Sequence, residues 1–249
     1  MYIHTLSHDV AIYCRVLIVV TCYSASALAA HISSRLRHQS GSSFILLYGS
    51  MLLAVIAFQW IVSGPRAVLG SAHSWQLLLL SLPVCGWLGY LTYAAEKKLV
   101  HALYKARSAA LPVASPFDAA PRARSKKLAY GKAGFTRIQD TGMSMLLLLA
   151  ILEELVYRGV LMGIIWQIPH GGIIRGIALA AIVVAFAASH IVFGLENMIS
   201  KIVLSSMTTA SAIVLGNVMG AIVIHLAFNY RLWRNTHRVA DGANEILMP

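Results

Sequence analysis

Charge is what this sequence has least of. Asp, Glu, Lys and Arg make up 12% of its 249 residues, against about 25% in an ordinary soluble domain. Hydrophobic residues make up 58%, the mean hydropathy is +0.72, and several apolar runs exceed about 18 residues. A soluble globular chain is thereby excluded, and an integral membrane protein is expected. Acids are scarcest of all, with 9 Asp and Glu against 20 Lys and Arg and a net charge of +11. On a soluble chain the resulting pI of about 9.9 would raise nucleic-acid binding, but no interleaved aromatic and basic surface accompanies it. In a membrane protein the same excess belongs on the cytoplasmic loops. The three cysteines, Cys14, Cys22 and Cys85, sit in apolar stretches without paired spacing and read as small core hydrophobes. Residues 1–9 contain no Lys or Arg, so the basic start of a cleavable signal is missing and the first apolar run is expected to be a retained helix. Ile246 to Pro249 form no lipidation motif.

What is present is a succession of apolar segments, and the expected fold is an all-α polytopic bundle of about seven transmembrane helices. They fall at roughly 10–30, 43–63, 75–96, 142–166, 173–195, 198–215 and 217–233. Gly216-Asn217 is a weak break, so six spans with one long broken helix is the alternative count. The chain divides into N-terminal helices (1–96), a basic connection (97–140), a helical core (141–233) and a tail (234–249). The connection carries ten Lys and Arg and three prolines; it reads either as a surface helix followed by a loop or as a flexible linker. With that connection in the cytoplasm, alternation of seven spans places 16 basic residues inside and two outside. This bias puts the N-terminus outside and the C-terminus in the cytoplasm of an inner or plasma membrane.

Between Met143 and Trp166 the only charged residues are Glu153, Glu154 and Arg158. A charge at bilayer depth costs at least ~2.5 kcal/mol on insertion scales, so three together need a reason. Glu154 and Arg158 stand at i, i+4 with the acid first, the favoured order for a pair on one helix face. That pair can neutralise itself, leaving Glu153 as the unpaired acid. The topology puts Glu153 roughly 16 Å from the inner end of its helix and His190 and His225 roughly 8–12 Å deep, at 1.5 Å per residue. All three can therefore share one cavity, with Asn229 one turn from His225. A desolvated carboxylate beside an imidazole can act as general base on water, and His225 with Asn229 presents two donors suited to an oxyanion. Each also has a plain reading. An intramembrane His often only packs or bonds between helices, an Asn at a helix interface is ordinary glue, and Gly159-x3-Gly163 and Gly216-x3-Gly220 are close-packing motifs.

Glu153-Glu154-x3-Arg158 with Gly159 following, then Phe186-x3-His190, then His225-x3-Asn229, resemble in order the three motifs of the CPBP (Abi) intramembrane proteases, the family of the type II CAAX prenyl endopeptidases. The resemblance spans about residues 140 to 232 and implies a helical membrane fold that hydrolyses peptide bonds. It further implies that Glu153 and His190 activate water, that His225 and Asn229 form the oxyanion site, and that Glu154 and Arg158 support them. Such proteases have been described both as metalloenzymes and as glutamate proteases. Glu153, His190 and His225 are a set able to hold Zn²⁺ with water in the fourth position, but His-Glu-x2-His is missing, and the metal-free mechanism is preferred. The expected partners are membrane lipids and a membrane-embedded or membrane-anchored peptide, with no nucleic acid. Two other classes stand beside this one. A non-catalytic immunity or partner protein on the same scaffold would tolerate loss of Glu153 and His190. A proton-coupled transporter would show internal repeats with paired broken helices, which this sequence lacks.

Overall fold

The computed structural model describes residues 41–70, 75–110, 142–167, 172–191 and 195–245. Among these the chain is helical, and its single strand-like pairing is an isolated antiparallel bridge between Gly70 and Asn217. In order come α1 (Gly41–Ser63), the short α2 (Arg66–Leu69), α3 (Trp75–Ala110), α4 (Met143–Glu154), a π-helical stretch (Leu155–Leu161), α5 (Met162–Trp166), α6 (Gly172–Ala188), α7 (Leu195–Leu215) and α8 (Met219–Glu245). The backbone stays in the right-handed helical region at both ends of the π stretch, so α4, π stretch and α5 form one rod. Six of the seven expected helices thus have counterparts. The first, at 10–30, lies outside the described residues, as do positions 111–140 of the basic connection. Three of the described helical segments, Ile45–Ser63, Gln76–Leu103 and Asn197–Leu215, are long and apolar enough to cross a membrane. Leu79, Leu80, Ile173, Ile177 and Val214 are each more than half exposed, as expected of lipid-facing side chains.

Several boundaries differ from expectation, and two of them have a clear local reason. Helix α3 continues past residue 96 to Ala110, because the polar Glu, Lys, Ala and Leu sequence after Tyr93 remains helix-favouring once the apolar run has ended. Helix α6 stops at Ala188, leaving His190 in a turn rather than inside a helix. There the His190 amide bonds the Ala187 carbonyl, and the Phe186 carbonyl is taken instead by side chains: Ser189 Oγ donates to it at 2.7 Å and His190 Nδ1 lies at 3.0 Å. Local side chains thus satisfy a carbonyl at the helix end. The break at Gly216-Asn217 is a true one. Gly216 has φ of 66°, a left-handed conformation that glycine adopts without steric cost. Asn217 then donates to the Leu215 carbonyl and accepts from the Met219 amide, both at 2.9 Å, capping the start of α8.

The bundle is drawn together where side chains are missing. A Cβ on Gly159 would meet the Val68 carbonyl oxygen at 2.1 Å, and one on Gly89 would meet the Ile224 carbonyl oxygen at 2.3 Å. The first contact seats α2 against the π stretch and the second sets α3 against α8. Around them lies a buried core that includes Leu52, Val68, Val156, Val160, Phe186, Leu204, Ile224 and Phe228. Gly86, one turn from Gly89, has only the Val223 side chain at 3.9 Å. Gly159→Ala and Gly89→Ala are each expected to lower stability by about 1–3 kcal/mol through overpacking against backbone, whereas Gly86→Ala should be near neutral. Thermal unfolding of the three variants in detergent checks the ranking.

Candidate active site

Glu153 and Glu154 are the last two residues of α4, and both side chains are buried, Glu154 completely. The π stretch begins at the next residue. Such wide turns cost hydrogen-bond geometry and are found frequently at functional sites. Across the junction the Arg158 guanidinium reaches back to Glu154, with Nη1 at 3.3 Å from Oε1 and 3.2 Å from Oε2. Its Nη2 donates to the hydroxyl and the carbonyl of Ser205 on α7, at 2.6 and 2.9 Å. The sequence spacing therefore yields the expected pair, but not a self-contained one.

Glu154 has a second partner. His225, on α8 and 2% exposed, places Nδ1 at 2.8 Å from Glu154 Oε1. A carboxylate only accepts, so Nδ1 carries the proton and Nε2 is the ring nitrogen turned toward chemistry. Nε2 lies 3.8 Å from Glu153 Oε2, too long for a direct hydrogen bond but close enough for one water to touch both. Four ionisable side chains thus meet: two acids, one permanent cation and one imidazole. With both acids ionised and the ring neutral the group carries one net negative charge. One further proton, shared between Glu153 and His225, makes it electroneutral.

Sequence reasoning missed Tyr48. This buried tyrosine of α1 neighbours the Glu153 carboxylate, Tyr157 and Ser189. Its signal was slight, a hydroxyl-bearing ring in the middle of an apolar run, and only the packing of α1 against α4 gives it meaning. His190 stands at the rim, half-buried, with Nδ1 against the Phe186 carbonyl and Ser189 Oγ. The Phe186 ring connects it to the rest. Its centroid lies 5.0 Å from the His190 ring, 5.7 Å from His225 and 5.3 Å from Tyr157, with the Arg158 guanidinium 4.5 Å above it. Asn229 is half-buried one turn beyond His225, and its amide donates to the Leu146 carbonyl of α4 at 3.3 Å. Lys201 sits buried on α7, with Nζ at 2.9 and 3.1 Å from the two oxygens of Glu96 and 4.1 Å from the Phe228 ring centroid. Phe228 also packs edge-on to His225, so this second ion pair borders the first group.

Among the described residues no three His, Cys, Asp or Glu side chains are arranged to hold a metal ion. Glu153, His190 and His225 are accordingly not gathered as three ligands in this geometry.

Residues 141–231 match the family of the type II CAAX prenyl endopeptidases, Rce1-like. The matched segment contains Glu153, Glu154, Arg158, His190, His225 and Asn229. No curated protein and no solved structure matches the chain. The match covers well under half of the chain, and over these residues the chain is similar to that family.

The Glu154 carboxylate joins two cationic or proton-bearing partners, so its loss should cost more than loss of any one contact to it. Glu154→Gln preserves shape but leaves Arg158 buried without its counter-charge, and is expected to cost about 3–5 kcal/mol. Ser205→Ala removes one bond to Arg158 and keeps the carbonyl contact, for about 1.5–3 kcal/mol. Unfolding temperatures in detergent decide between them; an E154Q protein as stable as S205A would show that Glu154 is not the link.

Proposed function

We propose that this chain, with its Rce1-like segment, is an intramembrane endopeptidase that hydrolyses a peptide bond of a membrane-embedded or membrane-anchored substrate by a metal-free, glutamate-dependent mechanism. The observation that carries this reading is the two-ended engagement of His225, bonded to Glu154 through Nδ1 and facing Glu153 through Nε2 across 3.8 Å. Seven spans, with the C-terminus in the cytoplasm of an inner or plasma membrane, complete the reading. They rest on the distribution of basic residues rather than on the helices alone.

In the proposed reaction a water beside Glu153 loses a proton to the carboxylate as its oxygen attacks the scissile carbonyl carbon. His190 helps to orient that water. In its neutral form a proton on Nδ1, facing the Phe186 carbonyl, leaves Nε2 as the accepting nitrogen. The carbonyl oxygen gains negative charge and is met by the Asn229 amide, which gives up the Leu146 carbonyl to do so, and by Nε2–H of His225 in the form whose ring holds a second proton besides that on Nδ1. Glu154 and Arg158 position His225 rather than touch substrate. Collapse of the intermediate breaks the C–N bond, and the proton held by Glu153 passes to the departing amine. Tyr48, beside the Glu153 carboxylate, holds that acid in place.

Glu153→Gln keeps the shape of the site and removes the base. Full-length protein reconstituted in liposomes, offered farnesylated CAAX peptides and a set of apolar helical peptides, and followed by mass spectrometry of the products, provides the measurement. The E153Q rate is expected to fall by about 10²–10⁴-fold; cleavage at the unaltered rate would sink the mechanism.

A further inference from the structure

A second polar feature lies away from the acid and histidine group, where α3 and α8 leave the apolar layer. A cavity of about 660 Å³ opens there, lined by Tyr90, Tyr93, Lys97 and Lys98 of α3 and by Arg231 and Asn235 of α8, with His101 one turn further on. The spacing is helical on both sides. Positions 90, 93, 97 and 101 form one stripe of α3, and 231 and 235 are i, i+4 on α8. The two sides are tied together. The Arg231 guanidinium bonds the Tyr90 hydroxyl and lies 4.2 Å from that ring's centroid, and Asn235 Nδ2 donates to the Tyr93 hydroxyl at 3.0 Å.

The lining holds two lysines and an arginine and no carboxylate. Glu96, the acid beside it in sequence, is buried and engaged by Lys201, so it does not neutralise the cavity. Lys97 and Lys98 are exposed. The position along the helix axes decides what kind of anion this suits. The exposed Trp87, Tyr90 and Tyr230 directly precede the basic residues on their helices, the order in which an aromatic belt gives way to the headgroup region. Along the same stretch the outer face of α3 exposes Val84, Trp87 and Leu91, a surface for acyl chains. A soluble anion would have no use for that apolar continuation.

We propose that this cavity binds the phosphate headgroup of an anionic phospholipid, held by Lys97, Lys98 and Arg231, with the acyl chains along α3. The site does not depend on the proteolytic reading, and its test needs no activity. Full-length protein in zwitterionic detergent is titrated with fluorescent short-chain phosphatidylglycerol and, separately, phosphatidylcholine, with inorganic phosphate as competitor. Phosphatidylglycerol should bind about tenfold more tightly or better, and each of Lys97→Gln and Lys98→Gln should weaken it about fivefold. Lys105→Gln, an exposed cation of the same helix outside the cavity, should leave it unchanged. Arg231→Lys, which keeps the charge but loses the planar contact with Tyr90, should weaken binding less than Arg231→Gln. Equal binding of the two lipids overturns the proposal, as does equal weakening by K105Q. Displacement of the lipid by equimolar phosphate would make this a soluble-anion site and overturns it as well.

Discussion

The structure depends most on a carboxylate that has been stripped of water and given two partners in its place. Glu154 is fully buried, and an isolated charge there would be untenable. Arg158 supplies the opposite charge and His225 a hydrogen bond, and each is anchored in turn on another helix, Arg158 through Ser205 of α7 and His225 through its place on α8. Three helices are thereby held in one register by a single side chain. Because the contacts are directional and replace hydration, small relative movements of α4, α7 and α8 are costly. A histidine fixed in this way presents Nε2 to Glu153 at a set distance.

Apolar contacts frame that polar thread. Phe186 lies between both histidines, Tyr157 and the Arg158 guanidinium, excluding bulk water from the middle of the group while leaving His190 at its edge. The glycine contacts do similar service for the backbone. Gly159 admits α2 to the π stretch, and Gly89 admits α8 to α3. The π stretch itself falls directly after the two acids, so the widened turn and the charged pair occupy the same point of the rod.

Much of the helical layout is legible in the sequence, because long apolar runs have few other solutions in a membrane. The meeting of Glu153 and His225 is legible too, from helix direction and depth, without any contact being known. What the sequence does not disclose is which partner each ionisable group chooses. The i, i+4 spacing of Glu154 and Arg158 suggests a closed pair, yet hydrogen-bond capacity left on both groups is used across helices, a fact of tertiary packing. Lys201 stands near the start of an apolar segment, where nothing local marks it as buried; its burial follows from Glu96, 105 residues earlier. Tyr48 escapes notice for the same reason, since nothing local marks a tyrosine in an apolar run as a neighbour of Glu153. His190 sits beyond the helix expected to contain it because Ser189 and the imidazole themselves occupy the Phe186 carbonyl. Local side-chain bonds can end a helix that hydropathy would continue.

The sequence separations of these pairs bear on how the chain is made. A membrane protein emerges from its N-terminus and its helices enter the bilayer in turn, at about 5–20 residues per second. Glu154 meets His225 only 71 residues later, so for several seconds that bond has no second half. Arg158, four residues away, travels with Glu154 in the same helix and can neutralise it from the start. Glu96 has no such companion facing it within α3 and takes its buried partner from α7. The early half of the chain therefore waits on the late half for its charge balance. A truncation that ends before α7 would strand Glu96 and leave Arg158 without Ser205, so quality control would meet an acid that only the finished bundle can satisfy.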